Sequence, residues 1–568
     1  MAQIVRLAGV ETPVAGVELE PYVLLQRPDG SQTTEDVPET SHASSSATGV
    51  CLRQRWLRAL ARVCSVHPER HAQIQNLISK TFHCSADCLL SSWPDARAGL
   101  LSSRSCPSLH QPYASSNGSS FNNGDSPGPP SSANGGWREV SRTRTYVPTQ
   151  EDIGHTLRFE VTPLLLPTKT EAAASAVLYT GRVITPAPPP SRSLVPLMPT
   201  LAQQQQRITV LSYNILADLY AHLDAYAHLP SWVLSWAYRR RQLLREILAY
   251  DSDVVALQEV QSDHLEQHIA PAMHEAGYEY TYKAKNTKMF TGSKVSSDGC
   301  ITEGCATFWK TSKLKCVKAD SIDYDKAVDN MNMVKSNGAD VSAHANRLRK
   351  DNIALLVVLS TNPQSPLEGT QRFLCIANTH VHANSELTDV KLLQVHTLLK
   401  GLEKFRSQID FPMCVCGDFN SPPGSAAHQL VVEGGVDPRQ PELEHDPLSI
   451  LNPPSELRHD LQLQSCFQSL ARTDTAAVPD CAKVREQQTR LDPQYGEPVF
   501  TNYTRDFEGT LDYIFHTRGL LETVAVLELP SKRDIEQQQA DEPVESSMPN
   551  SRYVSDHVAI MCELEFRV

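Results

Sequence analysis

The chain lacks a long apolar run. Its longest, Ile353–Leu359, is far short of the roughly 20 residues needed to cross a bilayer. Met1 to Leu24 shows no basic stretch followed by an apolar one, so no secretory leader is read there. Positive charge is not in excess either: the net charge over 568 residues is −13. That excludes a protein that coats nucleic acid by bulk charge. It leaves room for an enzyme with acidic metal ligands at its centre and a few cations at its rim. No repeat of solenoid period is present. The 14 cysteines do not read as a disulfide framework: Cys375, Cys414, Cys416 and Cys562 lie inside apolar strand-like runs, as buried reduced thiols do. Together these features predict a soluble intracellular protein with no membrane partner; the absent targeting signals, with the substrate that the resemblance below implies, make the expected location cytoplasmic, with nuclear entry left open.

What is present is enough for a sizeable core, with 40% hydrophobic and 21% charged residues. Three low-complexity stretches interrupt the chain. Ser91 to Gly136 is rich in Ser, Gly, Asn and Pro and reads as a flexible linker. Pro186 to Gln206 is a stiffer Pro/Gln linker, and polar, acidic Asp534 to Ser551 reads as a surface loop. The domains predicted are therefore 1–90, a small N-terminal unit; 91–136, linker; 137–186, a small β-rich unit; 187–206, linker; and 207–568, one large unit. In the second small unit, TYVPTQEDIGHTLRFEV suggests two strands around an Asp–Ile–Gly turn.

The large unit alternates strands and helices. Helices are expected over Tyr238–Tyr250 and Thr388–Phe405, where apolar residues recur on one helical face. Strands are expected at Ile208–Ser212, Asp253–Leu257, Gly304–Trp309, Asn352–Ser360, Arg372–Asn378, Met413–Cys416, Leu511–His516 and Val558–Phe566. This is an α/β pattern with more strands than a simple βαβ series gives.

The chemistry is written at the strand ends. Apolar strands finish at, or open with, Asn214, Glu259, His380, Asp418 with Asn420, and Asp556 with His557; Asp512 lies inside an apolar strand. Taken singly, Glu259 could be a solvated strand end and His380 a core histidine. An unpaired carboxylate at Asp512 would be costly to bury, which makes a bland role there harder to accept. If the strand ends share one rim, they gather hard oxygen donors suited to Mg²⁺ or Mn²⁺, beside histidines able to protonate or hold a phosphate oxygen. The set reads as a phosphate-ester hydrolase.

In order, LSYNIL, LQEV, NTHVH, CGDFNS, GTLDYIF and SDHVAI resemble the endonuclease/exonuclease/phosphatase superfamily over residues 207–568. The segments SWAYRRRQLLREI, TDVKLLQVHTLLKGLEKF and FTNYTRDFEGTLDYIF are similar to the carbon-catabolite-repressor type of deadenylase, in its plant-type form, related to nocturnin and the Angel proteins. The resemblance implies a four-layered α/β sandwich, DNase I-like, with two mixed sheets face to face and a small, partly flexible N-terminal region. It implies a Mg²⁺-dependent 3′-exoribonuclease acting on poly(A) RNA, with two ions, within a large deadenylase complex. Related activities in the same fold are a phosphatase on NADP(H) and an RNA 2′,3′-cyclic phosphatase. A scaffold without turnover is a third alternative.

Carried over by the resemblance, Glu259, Asp418, Asn420, Asp556 and His557 would serve the metal, and Asn214 would stand beside Glu259. His380 and Asn420 would contact the phosphate, Asp512 would orient His557, and Phe507 would stack an adenine. Ser385 stands where animal members have a proline. Plant-type members also carry a Cys/His cluster like a small zinc finger. Here Cys64, His83, Cys84 and Cys88 match it, but QIQNLISK replaces the CxxC pair between them. The cluster therefore reads as degraded, with Cys51, His67 or His71 as the available substitutes.

Overall fold

The computed structural model describes residues 2–34, 50–64, 66–67, 70–75, 82–91, 136–166, 168–198, 207–221, 224–285, 289–290, 300–330, 347–362, 371–407, 411–451, 453–536 and 547–567. The chain divides into two compact units, with the main break between Ala187 and Pro188.

The first unit joins what the sequence reading separates. Val50–Ala59 pairs antiparallel with both Trp137–Ser141 and Thr156–Leu165, and Ala176–Arg182 extends the same sheet. The two small units are thus one sheet, because a ten-residue strand from the first finds both its neighbours in the second. Trp56, Phe159, Val161 and Leu157 pack with Val23 and Leu25 in a common core. Residues 145–152 do not form the first of two predicted strands: Gln150–Asp152 is a single 3₁₀ turn, and only Thr156–Leu165 is a strand there. Of the 91–136 linker only Ser91 and Gly136 fall among the described residues.

The second unit is built on two mixed sheets. One has seven strands in the order Leu194–Pro196, Leu521–Leu527, Ile560–Phe566, Arg207–Asn214, Val254–Gln261, Glu303–Lys310 and Tyr278–Ala284. The other has six, in the order Leu314–Asp323, Ile353–Thr361, Phe373–His380, Met413–Asp418, Asp512–Thr517 and Leu463–Ser465. Strand Ile353–Thr361 shows why its sequence is continuously apolar. Ile353, Leu355, Val357 and Leu359 face the other sheet, with Val210, Val254 and Ala256. Ala354, Leu356 and Val358 face helix Thr388–Arg406 through Leu392, Val395, Leu399 and Leu402. A strand covered on both faces needs no polar alternation.

Helix Trp236–Tyr250 covers the outer face of the seven-stranded sheet, where the Tyr213 hydroxyl donates to Glu246 at 3.3 Å. It begins at Ser235, whose hydroxyl accepts from the Tyr238 amide, and ends at Asp251 in the left-handed region. The layers run helix, sheet, sheet, helix, as expected. Two boundaries differ. Leu194–Pro196, expected in a linker, adds an edge strand through Leu527, Val526 and Ala525. The Asp534–Ser551 stretch, expected as a surface loop, starts inside helix Lys532–Glu536 and ends with Ser547, Met548 and Asn550 buried; the residues between lie outside the description.

His516, on the strand that begins at Asp512, is wholly buried with Nε2 2.8 Å from the Thr523 hydroxyl. Burial pushes its pKa down to about 4. The unfolded chain takes a proton there below about 6.5 and the folded chain does not, so stability falls as pH drops from 6.5 through 4. His516→Gln is expected to remove up to about 3 kcal/mol of the loss between pH 7 and pH 4. Urea midpoints at the two pH values check this; equal losses in both proteins would show that His516 does not contribute.

Candidate active site

The register of the sheets brings the strand ends together. In the six-stranded sheet His380 pairs with Asp418, and Asp418 with Asp512, so three site residues share one rung. In the seven-stranded sheet Asn214 pairs with Gln258, next to Glu259. The rim is shared, as the strand-end reading requires.

Two backbone features aim the carboxylates. The register shifts between Leu257 and Val260, and Glu259 takes φ 57 within this irregularity. An extra residue of this kind re-aims a side chain at a strand end. Asn420 takes φ 47, and such non-glycine conformations gather at functional sites. Gly417 supplies a third constraint: a Cβ there would lie 1.9 Å from the Thr379 carbonyl oxygen, so only glycine lets the two strands close beside Asp418. The GDFN segment is thus the end of a strand.

Asn214 Nδ2 donates to Glu259 Oε1 and Asp418 Oδ2, both at 3.0 Å, and its Oδ1 accepts from the Leu216 amide. The amide is therefore fixed with its donor between two carboxylates. Burial pushes Glu259 up to about 7, with help from Asp556 and Glu303. Burial likewise lifts Asp418 to about 7, against the pull of His557 and with a push from Asp512. Two buried carboxylates sharing one neutral donor form a place where a cation is favoured.

His557 Nδ1 lies 2.7 Å from Asp512 Oδ2, and its Nε2 lies 3.7 Å from Asp418 Oδ2. Burial opposes its charge, but Asp512, Asp556 and Asp418 outweigh burial and hold its pKa well above the usual range. His380 Nε2 is 3.8 Å from Asp418 and 4.0 Å from Glu259. Burial, with Lys285, His557 and His382 nearby, keeps His380 well below the ordinary value, so it is neutral at pH 7. One histidine carries charge and the other offers a neutral N–H.

Asp418, Asp512 and His557 place one donor atom each within 4.8 Å of one another. Within that trio Asp512 Oδ2 is already engaged by both His557 and the Thr501 hydroxyl, at 2.6 Å from the latter. That fits Asp512 Oδ2 as the group that fixes the imidazole, while Asp512 Oδ1 is buried without a hydrogen-bond partner; Asp418 and Glu259 are the two carboxylates, bridged by Asn214, that could hold a metal. Asn420 spends its amide nitrogen on the Val381 carbonyl, leaving Oδ1 as the atom its side chain can offer. Asp556 is tied down by the Tyr226 hydroxyl at 2.7 Å and by Asn502 Nδ2 at 3.3 Å. The oxygen-rich donors fit a hard divalent cation.

Phe507 does not join this cluster. It is 41% exposed, between Asn502–Tyr503 and Glu508–Gly509, in a hairpin anchored to the site by Asn502.

Several supporting residues escape the sequence reading. Arg239, 0% exposed, donates to the carbonyls of Ile215, Leu216 and Val554 and so ties the loop after Asn214 to the one before Asp556. Lys391 donates to the Asn420 carbonyl at 2.6 Å, and Gln258 to Asn378 at 2.8 Å between the sheets. Arg239 sits in YRRR, within a segment quoted above only for its resemblance, and nothing in the sequence sets it apart from Arg240 and Arg241. Tyr226 ends the short 3₁₀ turn Asp224–Tyr226, and only the fold brings it to Asp556.

Residues 211–557 match the Endonuclease/Exonuclease/phosphatase family, and the chain belongs to it. Within the family it is similar to carbon catabolite repressor protein 4 homolog 1 of Arabidopsis thaliana, 39% identical over 97% of this chain and 96% of that one. It is also similar to the CCR4-Not complex 3'-5'-exoribonuclease subunit Ccr4 of Saccharomyces cerevisiae, 30% identical over 64% of this chain and 39% of that one. Among solved structures it resembles ANGEL2, a 2',3'-cyclic phosphatase, at 24% identity and TM-score 0.48, over 66% of this chain and 99% of that one.

Proposed function

We propose that the protein is a Mg²⁺-dependent 3′-to-5′ exoribonuclease that shortens poly(A) tails and releases AMP. The observation that carries this reading is the site itself: Glu259 and Asp418 bridged by Asn214, beside the Asp512–His557 pair. The exoribonuclease named among its relatives supports the substrate class. Because relatives are named as CCR4-Not subunits, we extend the proposal to assembly in such a complex.

Glu259, Asp418 and Asn420 would hold the metal, with Asp556 at its edge. When bound, Mg²⁺ supplies charge neutralisation at the phosphate and acidifies a bound water. His380, neutral, donates to a non-bridging oxygen. His557, charged and fixed by Asp512, faces the negative charge that develops at the scissile phosphate and can return a proton to the leaving oxygen.

Phe507 would stack the adenine of the tail. Its exposed ring suits a base platform worth about 1–3 kcal/mol. Phe507→Ala is expected to raise KM for an A-tailed RNA about 10-fold with kcat little changed and the fold intact. An unchanged KM would reduce Phe507 to a packing residue. Purified protein is also to be offered NADP⁺ and a 2′,3′-cyclic phosphate end: phosphate release from either, with no shortening of RNA, would overturn the proposal.

A further inference from the structure

Arg192 reads in sequence as part of a linker, and the family match begins only at residue 211. The fold builds it into the second unit instead. Its side chain is 6% exposed and packs against helix Trp236–Tyr250. Nε donates to the Tyr250 hydroxyl at 3.0 Å, and Nη2 faces Glu246 Oε1 at 3.4 Å. Nη1 donates to the Glu528 carbonyl at 3.1 Å, and Nη2 also donates to the Ala559 carbonyl at 2.9 Å. The guanidinium thus joins the helix to the backbone after strand Leu521–Leu527 and before strand Ile560–Phe566.

Two of these contacts lead to the catalytic rim. Ala559 stands two residues after His557. Glu246 accepts from the Tyr213 hydroxyl on its other oxygen, at 3.3 Å, and Tyr213 immediately precedes Asn214. The two strands adjoin there, with Ser212 paired to Ile560. One buried cation therefore ties together the strand that ends at Asn214 and the strand that follows His557. Glu246 is 2% exposed, and burial pushes its carboxyl up; Arg192 is the foremost group pulling it back. A lysine in this place would supply the charge as a point, without the planar fork that reaches both carbonyls, the carboxylate and the hydroxyl together.

We propose that Arg192 is a positioning residue of the active site, which holds the backbone on which Asn214 and His557 are mounted. It acts through Ala559, Glu246 and Tyr213 and not at the reacting atoms. Displacing a catalytic group by a fraction of an ångström costs rate more than binding, so the effect falls on kcat and spares KM. The catalytic unit on this account starts upstream of the family match, with the segment that carries Arg192 and the edge strand Leu194–Pro196. The inference rests on the reading of the rim as a site of phosphate-ester hydrolysis and needs no particular substrate.

The test compares the full chain with Arg192→Met, Arg192→Lys and the double variant Arg192→Met with Glu246→Gln, by urea midpoint, kcat and KM. Arg192→Met strands a buried acid and is expected to lose both stability and rate. The double variant replaces that acid with a neutral amide, and Arg192→Lys returns a charge beside it. Both are expected to recover most of the urea midpoint, while kcat stays about 10-fold or more below wild type and KM within about 2-fold of it. These two carry the test where Arg192→Met does not fold. A kcat that recovers together with the midpoint would make Arg192 a counter-ion for Glu246 only and overturn the proposal. So would a raised KM with kcat kept. A wild type that leaves A-tailed RNA intact but turns over NADP⁺ or a 2′,3′-cyclic phosphate end overturns the exoribonuclease reading alone, and the variants are then compared on that substrate; a wild type that hydrolyses none of the three overturns both.

Discussion

Asp418→Ala is expected to lower kcat/KM on an RNA substrate by about 10³-fold or more while the chain stays folded. Asp418 is the meeting point of the site. Its rung in the sheet also holds His380 and Asp512, its Oδ2 accepts from Asn214, and its Oδ1 accepts from the Asn420 amide. The same carboxylate burdens the fold. It is 1% exposed, and burial lifts its pKa to about 7, so keeping it ionised without a cation costs stability. Its removal is therefore expected to leave the urea midpoint of the metal-free protein unchanged or higher, the usual exchange of activity for stability at a strained site. Asp418→Asn keeps the shape and removes the charge, and the same loss is expected. Near-normal turnover in either variant would remove Asp418 from the chemistry.

Asp512→Asn is expected to lower kcat by about 10²-fold or more and to change its pH dependence. Asp512 Oδ2 meets His557 Nδ1 at 2.7 Å and is the foremost charge holding the imidazole protonated, against burial that opposes it. Without that charge the pKa of His557 falls towards or below its ordinary value of about 6.5. If charged His557 carries the chemistry, the variant loses activity as pH rises through that value, where the wild type does not. The pH profile of kcat for both proteins, at saturating Mg²⁺, checks this. An unchanged profile with lowered kcat would mean that Asp512 only packs against the histidine.

The shared rim was legible because strand ends write themselves into sequence: an apolar run halts at Asn214, Glu259, His380 or Asp418, and a carboxylate interrupts one at Asp512. What holds the rim was not. The irregularity that turns Glu259 inward depends on pairing with Glu303–Lys310, a strand more than 40 residues later. Arg239 is indistinguishable in sequence from Arg240 and Arg241 until its carbonyl partners are placed around it. Tyr226 and Asn502 act on Asp556 across 330 and 54 residues. The first unit fails to read for the same reason: Val50–Ala59 finds its partners across a long linker, and no local pattern announces that pairing. His67 was one of three substitutes the sequence offered; only the fold sets its Nδ1 within 3.8 Å of the Cys64, Cys84 and Cys88 sulfurs.

The central claim is metal-dependent removal of adenosines from an RNA 3′ end. It is tested most directly with purified protein, Mg²⁺ and a 5′-labelled RNA ending in adenosines, beside the same RNA ending in cytidines. The account predicts stepwise shortening of the adenosine tail that stalls at the body of the RNA, abolished by chelation of Mg²⁺ and by Asp418→Ala. Equal degradation of both tails would contradict poly(A) selectivity, and no shortening of either with Mg²⁺ present would contradict the assignment as an exoribonuclease.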